Sequence, residues 1–257
     1  MDRGTWNRFV KARKRFRCAV DELARSLPKL KSIQQKLADN RAGGKSSYYT
    51  VETPVVYNST LDDVACDDEI KLILVADNPG RREQVAENRR YLVGPSGKIA
   101  KKFFLDNPAL GIDFLKNVII LNKTPIHSAR TTELRELCRM ETQAYATSVT
   151  RAIFAALEES QRTMAALLLE FHEALGSPVW ITGYSEMKKG GIFEVYTESL
   201  KELYSGKEEM YKQIYLYRHF SMNQFTIDLK QQSLPGETLE KSLRRIGAAY
   251  RRRILGR

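Results

Sequence analysis

The sequence predicts an α/β fold of three layers (αβα) around a central, mostly parallel four-stranded sheet. Short apolar runs rich in β-forming residues alternate along the chain with longer stretches of helical spacing, which is the pattern of such a sheet. Each run ends in turn-forming or polar residues, as expected where a buried strand leads into a loop. We expect a single domain over residues 1–257, with an N-terminal helical extension (1–40) and a basic C-terminal helix (238–254).

The remaining elements follow from the same periodicities. Residues 5–40 have helical spacing with a break at Pro28. A long connection follows, in which 48–57 could form an edge hairpin or pack irregularly. The predicted strands lie at 71–75, 118–121, 178–182 and 213–217. The predicted helices lie at 98–105, 132–175 (one helix or two), 192–204 and 238–254.

The charge balance indicates a polyanionic partner. Lys and Arg number 42 against 31 Asp and Glu, which gives a net charge of +11. Nucleic acid is the first candidate partner and an anionic membrane surface the second. The basic cluster at 13–17 either contacts phosphate or forms a solvated helix face.

Other classes of protein are disfavoured by composition. No apolar run approaches the ~20 residues of a membrane span, and the N-terminus lacks the apolar core of a signal peptide. Cys18, Cys66 and Cys138 are scattered, so neither a zinc site nor a disulfide framework is indicated. We expect a cytoplasmic monomer with no metal, no cofactor and no membrane association.

Polar residues stand at the carboxyl ends of three predicted strands. Asp77 and Asn78 follow the first strand, Asn122 ends the second and His219 follows the fourth. Parallel strands bring their carboxyl ends to one edge, where open α/β sheets bind ligands. Each residue also has a structural interpretation, since Asn78 before Pro79 is a turn former and Asn122 could cap the segment that follows.

Two histidines and one glycine-containing loop also have to be interpreted. His127 could support this edge or lie on the surface, whereas His172 falls in an apolar helix and is expected to be structural. Residues 94–98 (G-P-S-G-K) look like a phosphate loop but lack the spacing G-x-x-x-x-G-K-[ST]. Binding of a nucleoside triphosphate through that loop is therefore excluded.

Four motifs in order resemble the uracil-DNA glycosylase superfamily. They are A-D-N-P-G (76–80), Y-L-V-G-P-S-G (91–97), V-I-I-L-N (118–122) and R-H-F-S (218–221). The resemblance spans about 71–221, and in layout it is closest to the iron–sulfur branch of that family. The four cysteines of that branch are missing, so the resemblance implies no iron–sulfur cluster here.

The resemblance implies cleavage of the N-glycosidic bond of a base flipped out of double- or single-stranded DNA. In the reaction, Asn78 would position water, Asp77 would supply negative charge against the oxocarbenium ion and His219 would donate to the leaving base. Asn122 would read the base, with Leu92 at the stacking position and Tyr91 beside it as an aromatic substitute or a core residue. The remaining base contacts would be Pro79, Gly80 and Ser221, and the DNA contacts Lys98, Lys123, Arg218 and Asn223.

Departures from the family pattern keep other functions open. Ala76 replaces a Gly, Leu92 an aromatic residue and Phe220 a Pro, while Gly80 stands where the uracil-exclusive branch has a bulky Tyr. The main alternative is a member of the fold that binds nucleic acid or a free base with weak or no catalysis. The third possible function is that of an α/β enzyme that processes nucleosides or nucleotides outside DNA repair.

Overall fold

A parallel sheet forms the centre of the molecule. The computed structural model describes residues 1–41, 49–139 and 147–256. Within these ranges the four strands pair in the order β2–β1–β3–β4, all parallel. They are β1 (Leu72–Ala76), β2 (Val118–Asn122), β3 (Val179–Thr182) and β4 (Ile214–Tyr217). The predicted α/β class with a four-stranded parallel sheet is confirmed.

Nine α-helices in the described part of the chain pack with this sheet in a three-layer α/β arrangement. They are α1 (Arg3–Ser26), α2 (Leu30–Arg41), α3 (Pro95–Asp106), α4 (Glu133–Leu137), α5 (Thr147–Leu175), α6 (Glu194–Leu203), α7 (Glu208–Lys212), α8 (Gln224–Gln232) and α9 (Leu239–Leu255).

Burial explains why the strands read as continuous apolar runs. All five residues of β1 and all four of β3 are buried, as expected for a parallel sheet covered on both faces. Trp180 of β3 stacks on Phe104 of α3 with 5.6 Å between ring centroids. The helix layer is thereby fixed against the middle of the sheet.

The N-terminal helices belong to the common core and are not an appendage. Phe9 of α1 packs against Phe171 of α5 at 5.5 Å between centroids, and both side chains are fully buried. The basic cluster at 13–17 is paired with acidic groups of the protein itself. Arg13 and Arg17 pair with Asp62, and Arg15 pairs with Glu170.

The structure decides two alternatives that the sequence left open and adds two elements that were not predicted. The segment 132–175 contains two helices, α4 and α5, with 140–146 outside the described residues. The connection at 49–57 packs irregularly through an isolated antiparallel bridge between Val55 and Ile126, and its first residue, 48, is not described. The helices α7 and α8 were not predicted. No helix among the described residues is both long and apolar enough to cross a membrane.

Candidate functional site

The carboxyl ends of the four strands lie along one edge of the sheet, as the sequence predicted. Asn122, the last residue of β2, is in register with Ala76 at the end of β1. The backbone N–H of Gly183, just after β3, donates to Tyr217 O at the end of β4 over 2.9 Å. Residues 77–78, 122–123, 182–183 and 218–221 therefore leave the sheet from a common edge.

Asn122 is buried at this edge without hydrogen-bond partners for its side chain. The residue is 1 % exposed, and neither Oδ1 nor Nδ2 of its side chain is paired with any described residue. Leaving a buried donor or acceptor unpaired costs about 1–3 kcal/mol, so native proteins rarely keep such groups without a reason. An amide that presents a free acceptor and a free donor side by side is suited to reading a polar ligand edge.

His219 is held as a neutral imidazole with its proton on Nε2. The backbone N–H of Ser221 donates to His219 Nδ1 over 2.9 Å, so Nδ1 is the unprotonated nitrogen. Burial lowers the pKa of His219; Asp77 raises it and Lys123 lowers it again. At neutral pH the ring thus offers one N–H donor from Nε2.

The loop that carries His219 is fixed by an inward-facing aromatic ring. Phe220 is 1 % exposed and stacks on Phe225 at 4.4 Å between centroids. Its φ of −68° is the angle that a proline ring imposes. Phe220 thus has a φ that a proline at this position would also adopt.

The tip of the same loop is exposed and strained. Met222 and Asn223 have left-handed φ angles of 52° and 58°, which cost non-glycine residues free energy and are found at functional sites. Met222 is 83 % exposed, an unusual position for a large apolar side chain. No sequence pattern singled out Met222.

The structure corrects the roles expected of Asp77 and Lys123. Lys123 is completely buried, and its Nζ donates to Asp77 Oδ1 and to Thr182 O, each over 2.5 Å. Thr131 Oγ1 donates to the other carboxylate oxygen, Oδ2, over 3.2 Å. Lys123 therefore cannot contact a DNA phosphate, and Asp77 is not a free negative charge.

Asn78 is oriented with its carbonyl oxygen available. Its Nδ2 donates to Ser128 Oγ over 2.9 Å, and more weakly to Ser128 O and Pro79 O. No described residue donates to Oδ1. Since Asn78 is only half-buried, this oxygen can accept a hydrogen bond from water.

His127 supports the loop that contains Asn78. It is fully buried, and burial lowers the pKa of His127 to about 4. As a neutral ring it donates from Nδ1 to Pro79 O over 2.8 Å and accepts from Tyr49 at Nε2 over 3.0 Å. His172 is also buried and bonds Tyr204 over 3.0 Å, in keeping with its expected structural role.

Tyr91 is a core residue, the second of the two alternatives that the sequence left open, and not an exposed surface for a base. It is 2 % exposed, its hydroxyl donates to Val56 O over 2.6 Å, and its ring lies 6.4 Å from that of Phe16. Leu92 is buried too, with a left-handed φ of 54°. The stacking position therefore has no exposed aromatic or aliphatic side chain from 91–92.

Gly97 is required by the tight turn after Leu92. A Cβ on Gly97 would lie 1.4 Å from Leu92 O, closer than two atoms can approach. Gly80 is different, because a Cβ there meets nothing within 4 Å. The position that is bulky in the uracil-exclusive branch is thus open.

The other expected DNA contacts are accessible. Lys98, Arg218 and Asn223 are exposed, and Ser221 is half-buried. Arg218 Nε lies 3.2 Å from Asp228 Oδ1, with its side chain still 48 % exposed. Solvent reaches these groups from the loop after β4 and from the first turns of α3, although Arg218 is already paired with Asp228 and Gln224.

The sequence missed four contributors to this edge, namely Lys123 as an ion-pair partner, Ser128, Thr131 and Met222.

A groove of about 560 Å³ between α1 and α5 is lined by none of the strand-end residues 77–78, 122 or 219. Because Asn122 has almost no exposed surface, a base reaches its amide only if neighbouring side chains move. Across the described ranges, no three His, Cys, Asp or Glu side chains come together in a group that could hold a metal ion.

The chain is thus a three-layer α/β protein with a group of polar side chains at the carboxyl edge of its sheet. Comparison with protein-family models, with curated proteins and with solved structures finds no match to this chain.

Proposed function

We propose that the protein is a monofunctional DNA glycosylase that hydrolyses the N-glycosidic bond of uracil, or of a related deaminated base, flipped out of DNA. The observation that carries the proposal is the unpaired, buried amide of Asn122. It lies on the same edge as a neutral His219 with its proton on Nε2.

The Asn122 amide complements the pairing edge of uracil. Uracil has a donor at N3–H and an acceptor at O4, and the amide has one acceptor and one donor group. Cytosine reverses both positions, so it would leave two mispaired groups at about 1–3 kcal/mol each. This difference is large enough to reject a normal base.

His219 acts on the leaving base. As the glycosidic bond breaks, the base gains negative charge and the sugar gains positive charge. The Nε2–H donor of His219 stabilises the anionic base oxygen, an interaction that strengthens as the charge develops.

Water is held by Asn78 without a strong base beside it. Asn78 Oδ1 accepts a hydrogen bond from the attacking water, while an amide cannot take up its proton. The carboxylate of Asp77 is engaged by Lys123 and Thr131. We therefore expect slow chemistry, with the water proton released to solvent.

DNA engagement falls to the exposed groups around the site. Lys98 and Arg218 can neutralise phosphates, which makes binding weaker as salt increases. The exposed Met222 at the loop tip can enter the base stack as an apolar wedge and so favour the flipped-out nucleotide.

The direct test is excision from matched oligonucleotides. Single- and double-stranded DNA with one uracil is incubated with the protein and treated with alkali, beside the same DNA with thymine or cytosine. Strand breaks at uracil alone are the expected result. Asn122→Asp, which removes the donor to uracil O4, should lose uracil excision, and Asn7→Asp, which adds the same charge on an exposed residue of α1, is its control. Intact strands for all deaminated bases tested would reject glycosylase activity.

A second candidate function is binding of nucleic acid or a free base without catalysis. It is favoured by the pairing of Asp77 with Lys123 and by the burial of Tyr91. This candidate predicts tighter binding of uracil-containing than of unmodified DNA, with no alkali-sensitive product.

A further inference from the structure

Glu83 is a buried carboxylate between the two loops that flank the site. It is 7 % exposed, and its Oε2 accepts from the backbone N–H of Gly80 over 3.0 Å. Its Oε1 faces the loop at 91–97, because a Cβ on Gly94 would lie 3.9 Å from it, and the backbone amides of Leu92, Val93 and Gly94 act to lower its pKa. One buried carboxylate therefore lies between the loop at 77–80 and the loop at 91–97.

The turn that carries Glu83 is fixed independently of its carboxylate. The N–H of Glu83 donates to Gly80 O over 3.1 Å. The next side chain, Gln84, accepts from the N–H of Glu52 over 2.6 Å and donates to Thr50 O over 3.0 Å. A change in the carboxylate thus alters the loop contacts without releasing the turn.

The negative charge of ionised Glu83 is stabilised by backbone N–H dipoles and not by a cation. No ion pair connects it to a lysine or arginine anywhere in the described ranges, and Arg81 and Arg82 of its own turn are exposed. The ionisable group that interacts with Glu83 is the phenol of Tyr91. Burial raises the pKa of this phenol well above its usual value. Burial likewise raises the pKa of Glu83 to about 7, against the opposing effect of the four amides.

We propose that Glu83 is a positioning residue whose ionised carboxylate holds the Asn78 loop and the start of α3 in the arrangement needed for base excision. Gly80, which it binds, is two residues after Asn78, and Gly94 is the N-cap of α3. Its effect on excision rests on the proposed glycosylase function; the linkage of the two loops does not.

Protonation has a defined consequence for the linkage. A carboxylate accepts hydrogen bonds at both oxygens, whereas the acid carries an O–H donor that faces other donors. The acid form therefore loses contacts to one or both loops. If the ionised form is required, excision decreases by about tenfold for each pH unit below the midpoint.

The test follows the two loops directly by NMR. The backbone amide shifts of Gly80, Leu92 and Gly94 are recorded between about pH 5 and about pH 9 in the whole protein. We expect all three to titrate with one shared midpoint near 7. The shared midpoint disappears in Glu83→Gln and persists in Glu87→Gln, a control that alters an exposed glutamate of the same segment.

Single-turnover excision over the same pH range supplies the second readout. The acidic limb of the profile should have the same midpoint as the amides, and it should be absent in Glu83→Gln. Separate midpoints for the two loops, or a midpoint that survives in Glu83→Gln, would overturn the linkage. Loops that titrate together in a protein that excises no base would support the linkage and reject the glycosylase function.

Discussion

The two halves of the strand-end edge are built in opposite ways. The half formed by β1 and β2 is buried and charge-balanced, with Lys123 joining Asp77 to Thr182 beside the amide of Asn122. The half formed by the loop after β4 is exposed at its tip, with Met222 and Asn223 in left-handed conformations. Buried polar groups discriminate among ligands because an unpaired group is costly, whereas an exposed apolar tip can adapt to a large surface. In the proposed glycosylase, base choice would fall to the first half, and the donor to the leaving base and the DNA contacts would fall to the second.

The largest effect should come from breaking the buried ion pair. Lys123→Met leaves the carboxylate of Asp77 buried and uncompensated, which costs about 3–5 kcal/mol of the free energy of unfolding. The double variant Asp77→Asn/Lys123→Met should recover most of that loss. Denaturant titration measures both.

Lys207→Met is the matched control, because it removes a lysine whose side chain is 38 % exposed and pairs with Glu173 over 2.7 Å, so it should cost less than about 1 kcal/mol. Equal losses for Lys123→Met and Lys207→Met would contradict the view that the β1–β2 half is fixed by its charge pair.

The next effect concerns chemistry in the β4 half. His219→Ala removes the Nε2–H donor and should lower single-turnover excision by roughly 100- to 1,000-fold, as for other oxyanion donors, while DNA affinity changes little. His172→Gln, which alters a buried histidine bonded to Gln213 just before β4, should leave the rate unchanged. A full rate in His219→Ala would exclude it from the mechanism.

Asn122→Asp tests base choice in the β1–β2 half. The change removes the donor needed by uracil O4, while an Asp oxygen still accepts from uracil N3–H. One mispaired contact at about 1–3 kcal/mol predicts a loss of at least about 5-fold on uracil. Some cytosine excision should appear, provided that the carboxyl group shares a proton with cytosine N3. The side chain of Asn122 caps no turn among the described residues; if it has only a packing role, excision of uracil will persist and only stability will change.

The smallest effect should come from the loop tip. Met222→Ala removes the exposed apolar side chain and should slow excision from duplex DNA by a few-fold, with little change for single strands, because only the duplex has to be unstacked. Leu105→Ala, at an equally exposed leucine of α3, is the control. Equal slowing on both substrates would remove Met222 from base flipping.

The sheet and its edge were predictable because each strand is a continuous apolar run that ends in polar residues. The parallel arrangement then places Asp77, Asn122 and His219 on one side whatever the details of the helices. The helices α7 and α8 were not predictable, since α7 has only five residues and α8 is largely polar. Both depend on tertiary packing for their stability.

The contacts within the site could not be predicted from the pattern of residues. Lys123 follows a strand as a solvent-exposed lysine would, and only the neighbouring strand ends show that it is buried. Tyr91 and Leu92 lie in a motif that resembles a stacking surface, but their burial depends on α1 and on the segment around Val56. Glu83 stands in a polar stretch with no periodicity to mark it.

The burial of Phe220 separates His219 from the residues that follow it. Its ring is held among Phe103 and Phe225, so the backbone on its N-terminal side is tied to the hydrophobic interior, while 221–223 extend beyond that anchor. The side chains of Met222 and Asn223 could therefore be exchanged without resetting the imidazole, whose Nδ1 accepts from the backbone N–H of Ser221 and not from a side chain. In the proposed glycosylase, contacts at the loop tip and the donor to the leaving base could then vary independently in evolution, divided at a single phenylalanine.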